Sequence, residues 1–346
     1  MNGRGRRTLY YVVTAICLLA ALSACILMAY SHCRESGTIL YTVFPFLLFC
    51  GVYVLVSPCV LVHECGHLFF GMFARMKPVS VCVGRLKIEK KKVRLVFSSA
   101  AGKTELIPLG EKNVRGRMMA ASLGGATFNF IFGIVFTVLF FVLPANPVLL
   151  FFELFAPLHL YEGIAALLPA QLNAGRTDGE LFRQLKNNSS EAQIFVSVLT
   201  AQGIILKETF DKVHEKLLFD TPVVQEDDPA FLSLLHLRWQ YLMWKGETER
   251  AEKELSRLEA LSEYLDESTA AEVECDAVFM MRVTEGARDV GFTLPAVARE
   301  TCAGLRAELA LGRGDKEQYK KIAAAETAAG IKALESTFFE RFIQNF

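Results

Sequence analysis

No C-x-x-C pair occurs among the nine cysteines of this 346-residue chain. Zinc ribbons and disulfide frameworks need cysteines at short, regular spacing, so neither is expected. The thiols read instead as small hydrophobes, five of them inside apolar runs. Net charge is missing too, since 37 Lys/Arg balance 37 Asp/Glu. No basic tract carries interleaved aromatics, which excludes a nucleic-acid partner.

The zero balance conceals a segregation. Residues 75–117 hold twelve Lys/Arg against three Asp/Glu, whereas residues 180–346 hold 20 against 29. Hydrophobic residues make up 52% of the chain and crowd into its front half. The pattern predicts a mainly α protein. A polytopic membrane helical bundle of about four spans carries a small β-rich insertion at the membrane surface, and a soluble C-terminal helical domain follows.

Arg4, Arg6 and Arg7 precede an apolar run over residues 8–30, long enough for one span. Leu22-Ser23-Ala24-Cys25 looks like a bacterial lipoprotein cleavage box. The apolar run continues through residues 26–29, which favours an uncleaved helix. With the polar loop at 31–38 this forms a first region, 1–38. Residues 39–74 are too long for one perpendicular crossing; the span is placed at about 44–73, with a bend expected at Pro58. Residues 79–109 alternate apolar and charged at period two and predict two to four short strands against the membrane surface. Spans at 118–143 and 148–168 complete a membrane core over 39–185. Lys/Arg-rich loops then place both termini in the cytoplasm, in a bacterial cytoplasmic membrane on this reading.

Residues 186–346 read as a cytoplasmic helical domain. Gly246 and Gly314 each sit in a turn between helices and are 68 residues apart, twice a 34-residue tetratricopeptide period. Stacked hairpins of that kind commonly bind a protein partner. Trp239, Tyr241 and Trp244 are expected in their packing core.

The chemistry concentrates in His63-Glu64-Cys65-Gly66-His67. On a helix, residues four apart share a face, so His63 and His67 can grip one metal ion with Glu64 beside it as a base. Three ionisable groups inside an apolar run are costly and mark a functional site. Counting inward from Arg75, His67 lies ~12 Å deep and His63 ~18 Å. Asn129, twelve residues from Arg117 in the next span, reaches the depth of His63. Asp178 follows the last span on the same side, where Gly175 and Gly179 allow a turn back toward the metal. The rival role for Asp178 is a helix N-cap. His159 and Glu162, one turn apart, are expected to pair with each other.

The apolar H-E-x-G-H helix, the basic strand region, the G-G-x-x-x-N of the next span and the later L-P…D-G together resemble the site-2 protease family of intramembrane zinc metalloproteases, over roughly residues 45–185. The resemblance implies Zn²⁺ held by His63, His67 and Asp178, with Glu64 as general base on zinc-bound water. Asn129 would contact the substrate backbone or the oxyanion. The substrate would be a transmembrane segment of another protein, cut within or beside the lipid bilayer. The chain departs from the family pattern in two places. Gly125-Ala126 replaces a glycine-proline pair, and the compact Asn-Pro-Asp-Gly is loosened to the stretch from Asn173 to Gly179. No PDZ-like insertion is apparent. The alternatives are an inactive membrane scaffold of the same fold and a metal transporter. A transporter would need ligand-type residues through the full membrane depth.

Overall fold

An uninterrupted helix opens the chain: α1, Gly3–Ser36. The computed structural model describes residues 3–36, 39, 43, 45–50, 58–84, 86–89, 92–95, 102–144, 146–172, 175–286, 291–325 and 329–346. The polar stretch expected to be a loop from residue 31 is helical as far as Ser36, because Ser, His, Arg and Glu cost a helix little at its end. Cys25 lies in the middle of α1. It is buried, and its thiol donates to the Leu154 carbonyl at 3.3 Å. The cysteine of the apparent cleavage box is thus a packing residue of a continuous helix.

Helix α2 spans Pro58–Phe73. Pro58 is its first residue, the position where a missing N–H costs nothing; the stretch 51–57, where the expected bend would enter, lies outside the described residues. Four strands follow: β1 (Met76–Val83), β2 (Leu86–Glu89), β3 (Lys92–Leu95) and β4 (Gly102–Pro108). They form one sheet of order β3-β2-β1-β4. β1–β2 and β2–β3 are antiparallel, with Val83 opposite Leu86 and Glu89 opposite Lys92.

Helix α3, Val114–Val142, is followed by α4 (Pro147–Glu153) and α5 (Ala156–Leu167). Asn146 caps α4, its side chain accepting from the Val148 N–H at 2.9 Å. The expected span over 148–168 is built from these two helices, with Pro157 in the first turn of α5. Among the described residues, three stretches are long and apolar enough to cross a membrane: Gly5–Glu35, Val114–Val142 and Pro147–Leu167. Their outward faces expose Leu19, Leu27, Ile134 and Phe141, the pattern of helices solvated by lipid.

Beyond α5 come the two-residue strands β5 (Gln171–Leu172) and β6 (Gly175–Arg176), paired antiparallel, and then α6 (Asp178–Asn187). The chain divides here into two units, Met1–Ile107 with Arg115–Asn187, and Pro108–Val114 with Asn188–Phe346.

The second unit is helical: α7 (Ser190–Lys207), α8 (Glu215–Phe219), α9 (Pro229–Lys245), α10 (Thr248–Ala260), α11 (Glu267–Glu285), α12 (Cys302–Ala310), α13 (Lys316–Ala325) and α14 (Ala329–Phe338). Gly246 ends α9 in the left-handed conformation, φ 82°. From α9 onward, each helix packs on the next, and α14 returns to pack on α7 and α9. An open repeat array touches only its neighbours; this one closes on itself. Trp239 and Tyr241 are in the core as expected, while Trp244 is partly buried and stacks on Phe210. At the centre Arg306 is buried between Asp276 and Glu335, at 2.6 and 2.5 Å, beneath the ring of Phe338.

Candidate metal centre

His63 and His67 project from one face of α2, with their Nε2 atoms 3.1 Å apart. Cys65, between them in sequence, is exposed on another face. The helix can carry these rings because α3 approaches it closely. Gly66 and Gly124 face each other, and a Cβ on either would strike the other's backbone. Gly125 lies against the His63 ring, where a Cβ would come within 2.5 Å of Cε1 and Nε2. Small residues at a helix crossing serve here to admit an imidazole.

Asp178 completes the group. Its Oδ2 lies 2.9 Å from His63 Nε2 and 3.3 Å from His67 Nε2. The carboxylate is spared from capping α6 because Thr177 takes that role: its hydroxyl accepts from the Glu180 N–H at 3.2 Å. The same hydroxyl donates to the Leu168 carbonyl at 2.7 Å, tying the start of α6 to the end of α5. Gly179 packs against Leu167 with no room for a Cβ. Glu180, buried, is bracketed by Arg183 at 2.6 Å and Arg6 at 3.9 Å. Asn173, the first residue of the loosened motif, lies outside the described residues.

Three donors at these separations fit a metal ion. Tetrahedral zinc with bonds of ~2.0–2.1 Å sets its ligand atoms about 3.3 Å apart, and the observed spacings are 2.9, 3.1 and 3.3 Å. Burial pushes the Asp178 carboxyl up, but the neighbouring His63 and His67 imidazoles outweigh it and hold the group down at about 2. Asp178 is thus ionised, as a metal ligand must be. Its side chain retains 19% exposure and that of His63 15%, so one side of the triad stays open.

Glu64 is buried beside the triad. Strand β4 covers it: the Thr104 hydroxyl donates to Oε2 at 2.5 Å, and Gly102 leaves room for Oε1. Behind the ligands, His67 Nδ1 donates to the Ala121 carbonyl at 2.8 Å, which leaves Nε2 as the nitrogen that would bind a metal. The Asn129 amide nitrogen lies 3.2 Å from His63 Nδ1, and its oxygen lies 3.0 Å from His159 Nδ1.

The structure therefore brings His63, Glu64, His67, Asn129 and Asp178 together. His159 is bonded to Asn129 on α3, where a pairing with Glu162 on its own helix was expected. Thr104 and Ala121 went unread in the sequence. A hydroxyl in a strand and a main-chain carbonyl leave no spacing signal.

Comparison of the chain with models of known families, with curated proteins and with solved structures finds no match in any of the three.

Proposed function

We propose that the chain is an intramembrane zinc metalloendopeptidase resembling the site-2 proteases, and that it cleaves peptide bonds in or near transmembrane segments of other proteins. The convergence of His63, His67 and Asp178, with donor atoms 2.9–3.3 Å apart and Glu64 adjacent, carries the reading. Two imidazoles and one carboxylate, with one side open, are the ligand set of hydrolytic zinc sites. Zn²⁺, when bound, supplies Lewis acidity that polarises a carbonyl and acidifies a water.

The chain's own groups do the rest. Glu64 takes the proton from the attacking water and returns it to the leaving amide nitrogen. The Thr104 hydroxyl holds one carboxylate oxygen and leaves the other for that transfer. Ala121 and Asn129 orient the two imidazoles from behind. The substrate strand is locally unwound, because a helix keeps its carbonyls in hydrogen bonds.

The membrane topology that suits this reading has four spans, α2 with the apolar residues before it being the fourth, and both termini in the cytoplasm. The second unit then lies in the cytoplasm as a platform of tetratricopeptide-like helix pairs for a protein partner.

Metal analysis of the purified full-length chain tests the centre. One zinc per chain, lost in His63→Ala, supports it; a metal-free wild type overturns it. Glu64→Gln is expected to keep the zinc and abolish cleavage, read by comparing membrane-protein fragments in cells making either form. Full cleavage by Glu64→Gln overturns the mechanism.

A further inference from the structure

Both nitrogens of His63 are engaged. Nε2 faces Asp178 at 2.9 Å, and Nδ1 faces the Asn129 amide nitrogen at 3.2 Å. The Asn129 oxygen is 3.0 Å from Nδ1 of His159. Asp178, His63, Asn129 and His159 form one file of hydrogen bonds, leading from the metal centre to the interface of α3 and α5. Asn129 has no exposed surface and His159 has 2%. The His159 ring lies 5.9 Å from the rings of both Phe132 and Phe136. With bulk water excluded, each member takes its donor or acceptor role from its neighbours.

A metal ligand at position 63 offers its Nε2 lone pair, so its proton belongs on Nδ1 and needs an acceptor there. The group at that nitrogen is the Asn129 amide, whose two ends bridge His63 and His159. With the amide turned so that its oxygen accepts from His63 Nδ1, its nitrogen donates to His159, and Nδ1 of His159 must be bare with the proton on Nε2. What His159 presents at Nδ1 therefore decides which end of the amide His63 meets.

We propose that His159 is a positioning residue for the metal centre: it sets the sense of the Asn129 amide and, through it, the ring and tautomer of His63. The proposal rests on the metal-centre reading above and is independent of the peptidase chemistry. An imidazole at position 159 suits this because it can donate or accept at Nδ1 without changing charge.

The test uses full-length chain labelled with ¹⁵N-histidine in detergent, with zinc titrated in. In the zinc-loaded protein the His159 nitrogens, assigned by their loss in His159→Phe, are expected to show the Nε2–H pattern, with Nδ1 accepting from Asn129. Zinc affinity, read by competition with a chromophoric chelator, is expected to fall about 10–100-fold in His159→Phe. His159→Asn is expected to restore most of it, since an amide at this position can also present either a donor or an acceptor. An Nδ1–H His159 in the zinc-loaded protein, or His159→Phe binding zinc as tightly as wild type, overturns the proposal while the metal centre stands. A wild type that binds no zinc overturns the metal centre and the proposal with it.

Discussion

His63 Nε2 and Asp178 Oδ2 meet at 2.9 Å across 115 positions of sequence. The contact exists because Thr177, one residue earlier, caps α6 in place of the aspartate. The two functions separate by mutation. Asp178→Asn is expected to weaken zinc binding by about tenfold or more, as loss of a charged ligand does. Thr177→Ala removes a cap worth about 1 kcal/mol and leaves all three donor atoms, so it is expected to lower thermal stability and to weaken zinc binding less than Asp178→Asn does. Metal analysis after dialysis against a graded series of chelator checks both.

Gly125 and Gly133 lie on the same helix, but their substitutions should differ in kind. A Cβ at Gly125 drives into the His63 ring, whereas one at Gly133 meets the flexible side chain of Leu160. Gly125→Ala is expected to displace His63 and lower zinc occupancy. Gly133→Ala is expected to cost about 1–3 kcal/mol in packing with zinc occupancy unchanged. Zinc stoichiometry and thermal melting of the two variants, measured side by side, give the comparison.

Thr104 makes the hydrogen bond that holds Glu64 beneath β4. Thr104→Val keeps the shape and removes the hydroxyl. Its cleavage rate is expected to fall about 10–100-fold, in the range of a lost orienting partner, with full zinc content. Thr104→Ser is expected to recover most of the rate. A Thr104→Val protein as fast as wild type would show that Glu64 needs no such support.

Arg306 neutralises Asp276 and Glu335 in the core of the helical unit, and Tyr319 donates to Glu335 beside it. Arg306→Met strands two buried carboxylates and is expected to destabilise that unit by about 3–5 kcal/mol. The only tryptophans, Trp239 and Trp244, both lie in α9. Intrinsic fluorescence therefore reports this unit's unfolding in the full chain, and urea titration reads the shift directly.

Much of the membrane unit was legible because lipid imposes simple rules. Apolar length marked the helices that became α1, α3 and the pair α4–α5, and period-two alternation marked the strands over 79–109. The break at Leu154 and Phe155 was not legible, since Pro157 in an apolar run gives the same pattern whether a helix bends or restarts. The helical run to Ser36 is not legible for a related reason: polar residues at a membrane helix end look like a loop. In the second unit the paired-helix pattern around Gly246 was visible. The return of α14 onto α7 and α9 was not, because a long-range packing choice has no local periodicity.

For the site, the chain alone determined His63, Glu64 and His67, because helix geometry converts a spacing of four into a shared face. It also placed Asn129 and Asp178 among the candidates by depth and by side of the membrane. Only tertiary structure decided what each one touches. Asp178 reaches the imidazoles because Thr177 and Gly179 anchor α6 to the end of α5. Asn129 lies between two histidines because α5 brings His159 to its other side. Hydrogen-bond partners joined across helices depend on distances of a few ångströms between elements. Those distances follow from packing around small residues such as Gly124 and Gly125, and no local pattern in the sequence encodes them.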